Sequence, residues 1–309
     1  MLSSEDSSWD SSAGGAAWEA PQTLFGPRHA GPTVQRLVLG GHLRRLREEA
    51  GITTEHAAEA IRGSHSKISR MEHGRVGFKE RDIADLLTLY GVTVGEEREA
   101  LLKLAREANT PGWWQGYSDT LPHWVEPYFG LEAAASFIRN FELQFVPGLL
   151  QTEGYARAIM RLGNAPSNDE TERRVQARIS RQQILNRQAP PRLWAVMDEG
   201  ALRRTIGSKQ VMREQVRHLI EMSEHPAVTL QILPFKAGAH PAMGGPFTIL
   251  RFAEPDLRDA VYIEQLTSAL YLDKPAEVDS YLEVMEQICL QAEPAAKTTQ
   301  FLSGVLESI

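Results

Sequence analysis

From Leu37 onward apolar residues fall at helical spacing, with Leu39, Leu43 and Leu46 sharing a face and Gly51 placed to cap the run after Ala50. A second short helix is predicted over Thr54–Ile61, with Thr53 as its N-cap and Gly63 as its stop. Ser64 can cap a third helix reaching about Glu72, before Gly74 and Gly77 interrupt the chain again. A fourth is predicted over about Lys79–Tyr90, with Ile83, Leu86, Leu87 and Tyr90 on one side and Gly91 at its end. Thr93 and Glu96 form a T-x-x-E capping box for a fifth, whose Leu101, Leu102, Leu104 and Ala105 face inward. Five short helices within residues 34–109 make a small all-helical domain.

The flanks read differently. Residues 1–33 are rich in Ser, Gly, Ala and Pro without apolar periodicity, which predicts a disordered tail. Residues 110–130 hold Trp113, Trp114 and Trp124, half of the chain's six tryptophans, punctuated by Pro and Gly. Such a stretch is too apolar for a free linker, so it is expected to connect and pack between two domains. In residues 131–309 helices are predicted at about 131–141, 152–162 and 169–188, followed by an α+β pattern. Its strands are Leu193–Met197, Val228–Leu233, Phe247–Phe252, Ala260–Gln265 and Ala269–Leu272, with helical segments near 199–204 and 208–223 between them. Two helices, about 275–291 and 295–308, close the chain. The fold class expected is therefore mainly α, a five-helix domain followed by a larger mixed helix/strand domain.

A length of 309 residues suits two domains, and 42% hydrophobic content allows each a sizeable core. There is no apolar run of membrane-spanning length and no signal-peptide pattern at the acidic, serine-rich start, so a cytoplasmic protein with no membrane partner is expected. The single cysteine, Cys289, sits in an apolar helical pattern and reads as a buried small hydrophobe. The net charge of −7 argues at first against nucleic acid, but charge acts locally. Between Val34 and Gly77 stand eight basic residues (Arg36, Arg44, Arg45, Arg47, Arg62, Lys67, Arg70, Arg75) against five acidic ones (Glu48, Glu49, Glu55, Glu59, Glu72). The acidity lies elsewhere, as it would for a DNA-binding module on an acidic carrier.

The segment Leu39–Arg75 holds the clearest chemistry. Two short helices joined by a glycine-containing turn cross steeply and leave the second free to enter a major groove. Ile68 and Met71 supply the buried side of that second helix. Its other side presents His65, Ser66, Lys67, Ser69 and Arg70, small polar or cationic groups suited to base edges and phosphates. A solvated polar face on a structural helix is the plainer alternative. The ordered set Leu43-Arg44-x-Leu46-Arg47, Ala50-Gly51-Ile52-Thr53, Ala57-Ala58 and Ser64-x-Ser66-x-Ile68-Ser69-Arg70-x-Glu72-x-Gly74 resembles the phage-repressor-like, xenobiotic-response-element type of helix-turn-helix over about residues 38–92. The resemblance implies base reading by His65, Ser66 and Arg70, with Ser64, Lys67, Ser69 and Arg75 alongside, and a structural ion pair between Arg47 and Glu72. Family members often begin the second helix with a DNA-contacting glutamine; here Thr54 stands there, offering a shorter hydroxyl.

The rest of the chain is similar to the uncharacterised C-terminal domain of actinobacterial, WhiJ-like regulators. The matching residues include Phe129-Gly130-Leu131-Glu132-Ala133, Val146-Pro147-Gly148-Leu149-Leu150-Gln151-Thr152, Tyr155-Ala156-Arg157, Arg181-Gln182, Asp198-Glu199-x-x-Leu202, Ile232-Leu233-Pro234, Gly238-Ala239-His240 and Tyr262-x-Glu264. What the resemblance implies is regulation, often beside a small partner protein encoded nearby. No H-E-x-x-H, G-x-S-x-G, Walker or dinucleotide glycine motif occurs, so no catalytic residue, metal or cofactor is assigned and an enzyme is not expected. Asp198, Glu199, His240 and Glu264 lie near strand ends; convergence on a cation or amine ligand and ordinary caps and ion pairs are both open. Arg174, Arg178 and Arg181 line one face of the 169–188 helix, for an acidic partner, a DNA backbone or an anionic effector, or as a solvated face paired with Glu170 or Glu172. The aromatic cluster of Trp113, Trp114, Tyr117, Trp124, Tyr128 and Phe129 suits an interdomain seam or a ligand pocket.

Three readings remain open from sequence. The first is a sequence-specific regulator whose C-terminal domain senses a small-molecule effector or a protein partner. The second is an antitoxin-like adaptor that binds a small partner protein and regulates its own operon, and the third is an enzyme with a DNA-targeting module. One helix-turn-helix reads one half-site, so the first predicts a homodimer on a pseudo-palindromic operator in double-stranded DNA.

Overall fold

The computed structural model describes residues 32–309 apart from 75, 123, 163–166 and 255–256. The predicted tail, residues 1–33, lies outside the described residues up to 31, and Pro32 and Thr33 are already helical. Helix α1 (Pro32–Glu49) thus starts earlier than the apolar spacing suggested, with proline at a first-turn position where its missing N–H costs nothing. Helices α2 (Thr54–Ala60), α3 (His65–Glu72), α4 (Glu80–Leu89) and α5 (Glu96–Glu107) complete the first group. The caps of α2 and α3 are the expected ones: Thr53 Oγ1 accepts from the His56 N–H and Ser64 Oγ from the Lys67 N–H. The expected Thr93 capping box is corrected. Gly95, at φ 106°, holds the N-cap of α5 and turns the chain into the helix without a side-chain bond.

Leu39, Leu43, Ala57, Ile68, Met71, Ile83, Leu86, Leu87, Leu101 and Leu104 form one closed core. Each Leu, Ile or Met side chain there contributes roughly 1.5–3 kcal/mol by leaving water. Helix α1 crosses α3 at Gly40, where a Cβ would stand 2.5 Å from the Met71 carbonyl oxygen. Only glycine permits that approach.

Beyond α5, Trp113–Tyr117 forms a short 3-10 helix and α6 spans Val125–Ala134. Then comes a strand. The helix predicted over 131–141 ends at Ala134, and Phe137–Glu142 is β1, in the interior of the sheet. The six residues FIRNFE do not alternate apolar and polar positions, so they show no period-2 signal that separates strand from helix, and Ala135, at ψ 137°, already leaves the helical region. The remaining elements are α7 (Glu153–Met160), α8 (Asn168–Gln182), β2 (Arg192–Asp198), α9 (Glu199–Arg203), α10 (Lys209–Ser223), β3 (Val228–Leu233), β4 (Phe247–Arg251), β5 (Ala260–Glu264), β6 (Ala269–Leu272), α11 (Pro275–Gln291) and α12 (Thr298–Ser308).

The six strands form one mixed sheet in the order β3-β2-β1-β4-β5-β6. β1, β2 and β3 run parallel, and β4, β5 and β6 each run antiparallel to the preceding neighbour. Asn140 pairs with Thr248, Thr248 with Tyr262 and Tyr262 with Tyr271, so these four side chains share a sheet face. That face, with Ile138, Leu193, Ala195, Met197 and Leu250, packs under α6, α7, α10 and α12. On the opposite face Phe141, Val196, Phe247, Ile249 and Val261 pack under Val278, Met285 and Ile288 of α11. Cys289, free and partly buried beside this second core, has its thiol pushed up to about 11 by burial. No helix among the described residues is long and apolar enough to cross a membrane.

The two halves meet where α1 lies on α6. Leu37 packs against the larger core, and a Cβ on Gly130 would stand 1.9 Å from Thr33 Oγ1. Gly130→Ala is expected to destabilise the protein by about 1–3 kcal/mol through this clash. Thr33→Gly in the same chain should recover part of the loss, read as the midpoint shift in urea unfolding.

Candidate nucleic-acid interface

Helices α2 and α3 are held apart by a tight turn. After the C-cap at Ile61, the Arg62 N–H bonds the Glu59 carbonyl and the Gly63 N–H bonds the Ala58 carbonyl, which closes α2 in a Schellman motif. Arg62, not Gly63, takes the left-handed conformation, at φ 52°. An L-residue there costs about 1–2 kcal/mol relative to its usual regions. Its side chain is exposed and pairs with none of the described residues. Sequence reading placed the turn on glycine and missed Arg62 as a candidate.

Helix α3 is seated by Ile68 and Met71, each about 1% exposed, and by a charged clamp. Arg47 donates from Nε to Glu72 Oε1 at 2.6 Å, from Nη2 to Glu72 Oε2 at 3.1 Å, and from Nη1 to the Ile52 carbonyl at 3.0 Å. The pair is largely buried, and its hydrogen bonds raise the Arg47 guanidinium above its ordinary value despite desolvation. Arg47 thereby ties α1, the α2 entry and the end of α3 together.

The outward side of α3 carries His65, Ser66 and Arg70 exposed and Ser69 half-exposed. Ser64 Oγ caps the helix at the Lys67 N–H, 3.2 Å away, and Arg70 Nε rests on the Ser66 carbonyl at 3.3 Å. His65 lies 3.8 Å from the Glu55 carboxylate of α2. Thr54 opens α2 half-buried, its hydroxyl donating to Glu55 Oε2 at 3.3 Å. Arg75 lies outside the described residues.

Lys67 sits differently from its neighbours. Its Nζ is 2.5 Å from Asp82 Oδ2 on α4, and the Asp82 side chain is 2% exposed. This ammonium is engaged inside the bundle as the counter-charge of a buried carboxylate. The partner is fifteen residues away on another helix, which no local pattern reveals.

The four polar residues singled out in the C-terminal half do not assemble. Asp198 Oδ1 caps α9 at the Gly200 N–H, 2.7 Å away, and Oδ2 lies 4.0 Å from His240 Nε2. Glu199 binds Arg203 at 2.9 Å and accepts from the Phe235 N–H at 2.9 Å. Glu264 is two residues beyond Tyr262, hence on the α6-side face, whereas Asp198 follows Met197 of that same face and so points to the other. Three strand spacings, roughly 14 Å, also separate β2 from β5.

Two family models match the chain. One, described as a helix-turn-helix domain, covers residues 38–101 and so includes the turn at Arg62, the Arg47–Glu72 clamp and all of α3. The other, described as a domain of unknown function (DUF5753), covers residues 125–304, more than half of the chain. The chain belongs to the DUF5753 family. No curated protein and no solved structure matches it. In this DUF5753 protein the helix-turn-helix domain precedes the mixed sheet, and its presence marks a DNA-binding regulator.

The position of Lys67 generates a test. Lys67→Met leaves the buried Asp82 with only the exposed Arg81 guanidinium, 3.8 Å away, and is expected to cost about 3 kcal/mol in folding stability. Lys67→Met with Asp82→Leu should return most of that, because a matched apolar pair replaces a buried ion pair at little cost. Unchanged stability in Lys67→Met would instead show that Asp82 does not need the Lys67 ammonium, which is then available to phosphate in the wild type.

Proposed function

We propose that this protein is a sequence-specific transcription regulator in which the exposed side of α3 reads base edges in the major groove. The observation that carries the reading is the division of α3 itself. Ile68, Met71 and the Arg47–Glu72 clamp fix one side, while His65, Ser66 and Arg70 stand outward with small or flexible donors. Arg70 is the specificity residue, its guanidinium suited to a bidentate grip on guanine O6 and N7. His65 and Ser66 at the first turn reach deepest, with Ser64, Ser69 and Thr54 at the flanking backbone. Arg62 joins them as a phosphate contact, since an exposed arginine retained in a left-handed turn is costly unless its charge is used. Lys67 acts by positioning α3 against α4.

The C-terminal domain is the regulatory part, sensing an effector or a partner, and it joins two copies into a homodimer on a pseudo-palindrome. The contact between α1 and α6 supports this reading, because it gives the second domain a mechanical hold on the first.

Selection from a random duplex pool at near-physiological salt tests the proposal. The wild type should enrich one two-fold motif, and Arg70→Ala should lose a guanine preference within each half-site, a change of about 1–3 kcal/mol in discrimination. Arg62→Gly should weaken all sequences alike while raising folding stability by about 1 kcal/mol. Binding without an enriched motif, equal for wild type and Arg70→Ala, contradicts the proposal and moves the weight to the adaptor reading.

A further inference from the structure

The two edges of the sheet are finished differently. On β3 the carbonyls of Leu230 and Ile232 turn outward, and both are taken: Thr298 Oγ1 donates to the first at 2.6 Å and the Glu293 N–H to the second at 2.9 Å. The chain leading into α12 thus covers that edge. β6 is the opposite edge. The Gln265 N–H donates to the Ser268 carbonyl at 2.8 Å, which sets the parity of the β5–β6 ladder. Leu270 and Leu272 turn their backbone groups to β5, and Ala269 and Tyr271 turn theirs away from the sheet. Those outward N–H and C=O groups meet no partner among the described residues.

Open edges are ordinarily blunted by charge, proline or a bulge. β6 has none of these: its four residues are Ala-Leu-Tyr-Leu, and they pair with β5 in unbroken register. The strand is also held firmly from within. The rings of Tyr271 and Tyr262 lie with centroids 5.1 Å apart, and the Tyr271 hydroxyl donates to the Trp124 carbonyl just ahead of α6. Its other side carries apolar surface into water. Leu270 pairs with Ile263 on the α11-side face and is 53% exposed, and Leu266 in the hairpin turn is 97% exposed. A preformed strand with free backbone groups and an uncovered leucine is suited to accept one more strand.

We infer that β6 pairs antiparallel with β6 of a second copy, joining two sheets into one across a two-fold axis at Leu270. An identical strand fits because the outward groups are self-complementary. With Leu270 opposite the partner's Leu270, Ala269 lies opposite the partner's Tyr271 and exchanges both hydrogen bonds with it, and the symmetry-related pair does the same. Leu270 then takes the non-hydrogen-bonded position, its Cα about 4.5 Å from that of the partner's Leu270, so that each leucine covers the other. No like charges come opposite one another: Asp273 falls beside the partner's Thr267 and Lys274 beside the partner's Leu266. Two identical strands joined in this way generate the two-fold that a pseudo-palindromic operator requires. The pairing rests on the reading of the C-terminal domain as the dimerising part, and it names the surface used.

The test is the oligomeric state of the full-length protein by sedimentation equilibrium at micromolar concentration. The wild type should be a dimer. Leu270→Glu and Leu270→Lys, changes at an exposed side chain, should each weaken dimerisation about tenfold or more by placing like charges on the axis, and an equal mixture of the two should dimerise again. Ala269→Pro removes one outward N–H and none that β5 uses, and should weaken the dimer as well. Leu270→Cys in a Cys289→Ala background should form a disulfide-linked dimer under mild oxidation, because the facing Cα atoms fall within disulfide reach. Leu290→Cys, exposed on α11, should not. A wild type that is monomeric both free and on DNA overturns this pairing together with the homodimer reading, and leaves the edge to a strand of a different protein. A dimer that persists in Leu270→Glu and Ala269→Pro, charge variants that stay apart when mixed, or cross-linking no better in Leu270→Cys than in Leu290→Cys overturns the strand assignment alone.

Discussion

Helix α1 belongs to two cores at once, and the placement of nearly everything functional depends on it. Its eighteen residues span about 27 Å as one rod. Leu39 and Leu43 are fully buried in the helical bundle, while Leu37 and Thr33 lie against the C-terminal domain. At Gly40 the rod comes close enough to touch the last turn of α3, and at Arg47 it grips Glu72 with two hydrogen bonds. Helix α1 is thus one stiff element in contact with both α6 and α3.

Charge in the first domain divides into structural and available parts. Arg47 and Lys67 are used within the bundle, one by Glu72 and one by Asp82. Arg44 and Glu48 form an exposed pair on α1, worth a few tenths of a kcal/mol. The polar groups that α3 and its turn hold outward are His65, Ser66 and Arg70, with Arg62 in the turn.

Much of this was legible in the sequence where the determinants are local. Gly51, Thr53 and Ser64 placed the ends of the first three helices, because a cap depends on atoms within one turn. Signals that depend on distant partners were not legible. β1 reads as part of a helix until β2 and β4 are known to flank it, since its polar residues, Arg139 on one face and Asn140 and Glu142 on the other, break the alternation. Lys67 reads as a surface cation until Asp82 is found on α4. The arginine stripe of α8 was visible, and the Arg174–Glu170 pair is local, but the partners of Arg178 and Arg181, Gln151 before α7 and Glu132 on α6, are distant in sequence. Glu264 was grouped with Asp198 by its place at a strand end, and sheet parity separates them.

The claim that the outward side of α3 meets the bases is most directly tested by tethered DNA cleavage. An iron chelate would be attached at Ser66→Cys in a Cys289→Ala background, with attachment at Glu293→Cys, on the far domain, as the control. Cleavage from position 66 confined to one major-groove patch in each half-site of the selected motif is the predicted result. Cleavage of equal strength from both positions, or cuts scattered without a groove pattern, would show that α3 does not lie in the groove and would contradict the account.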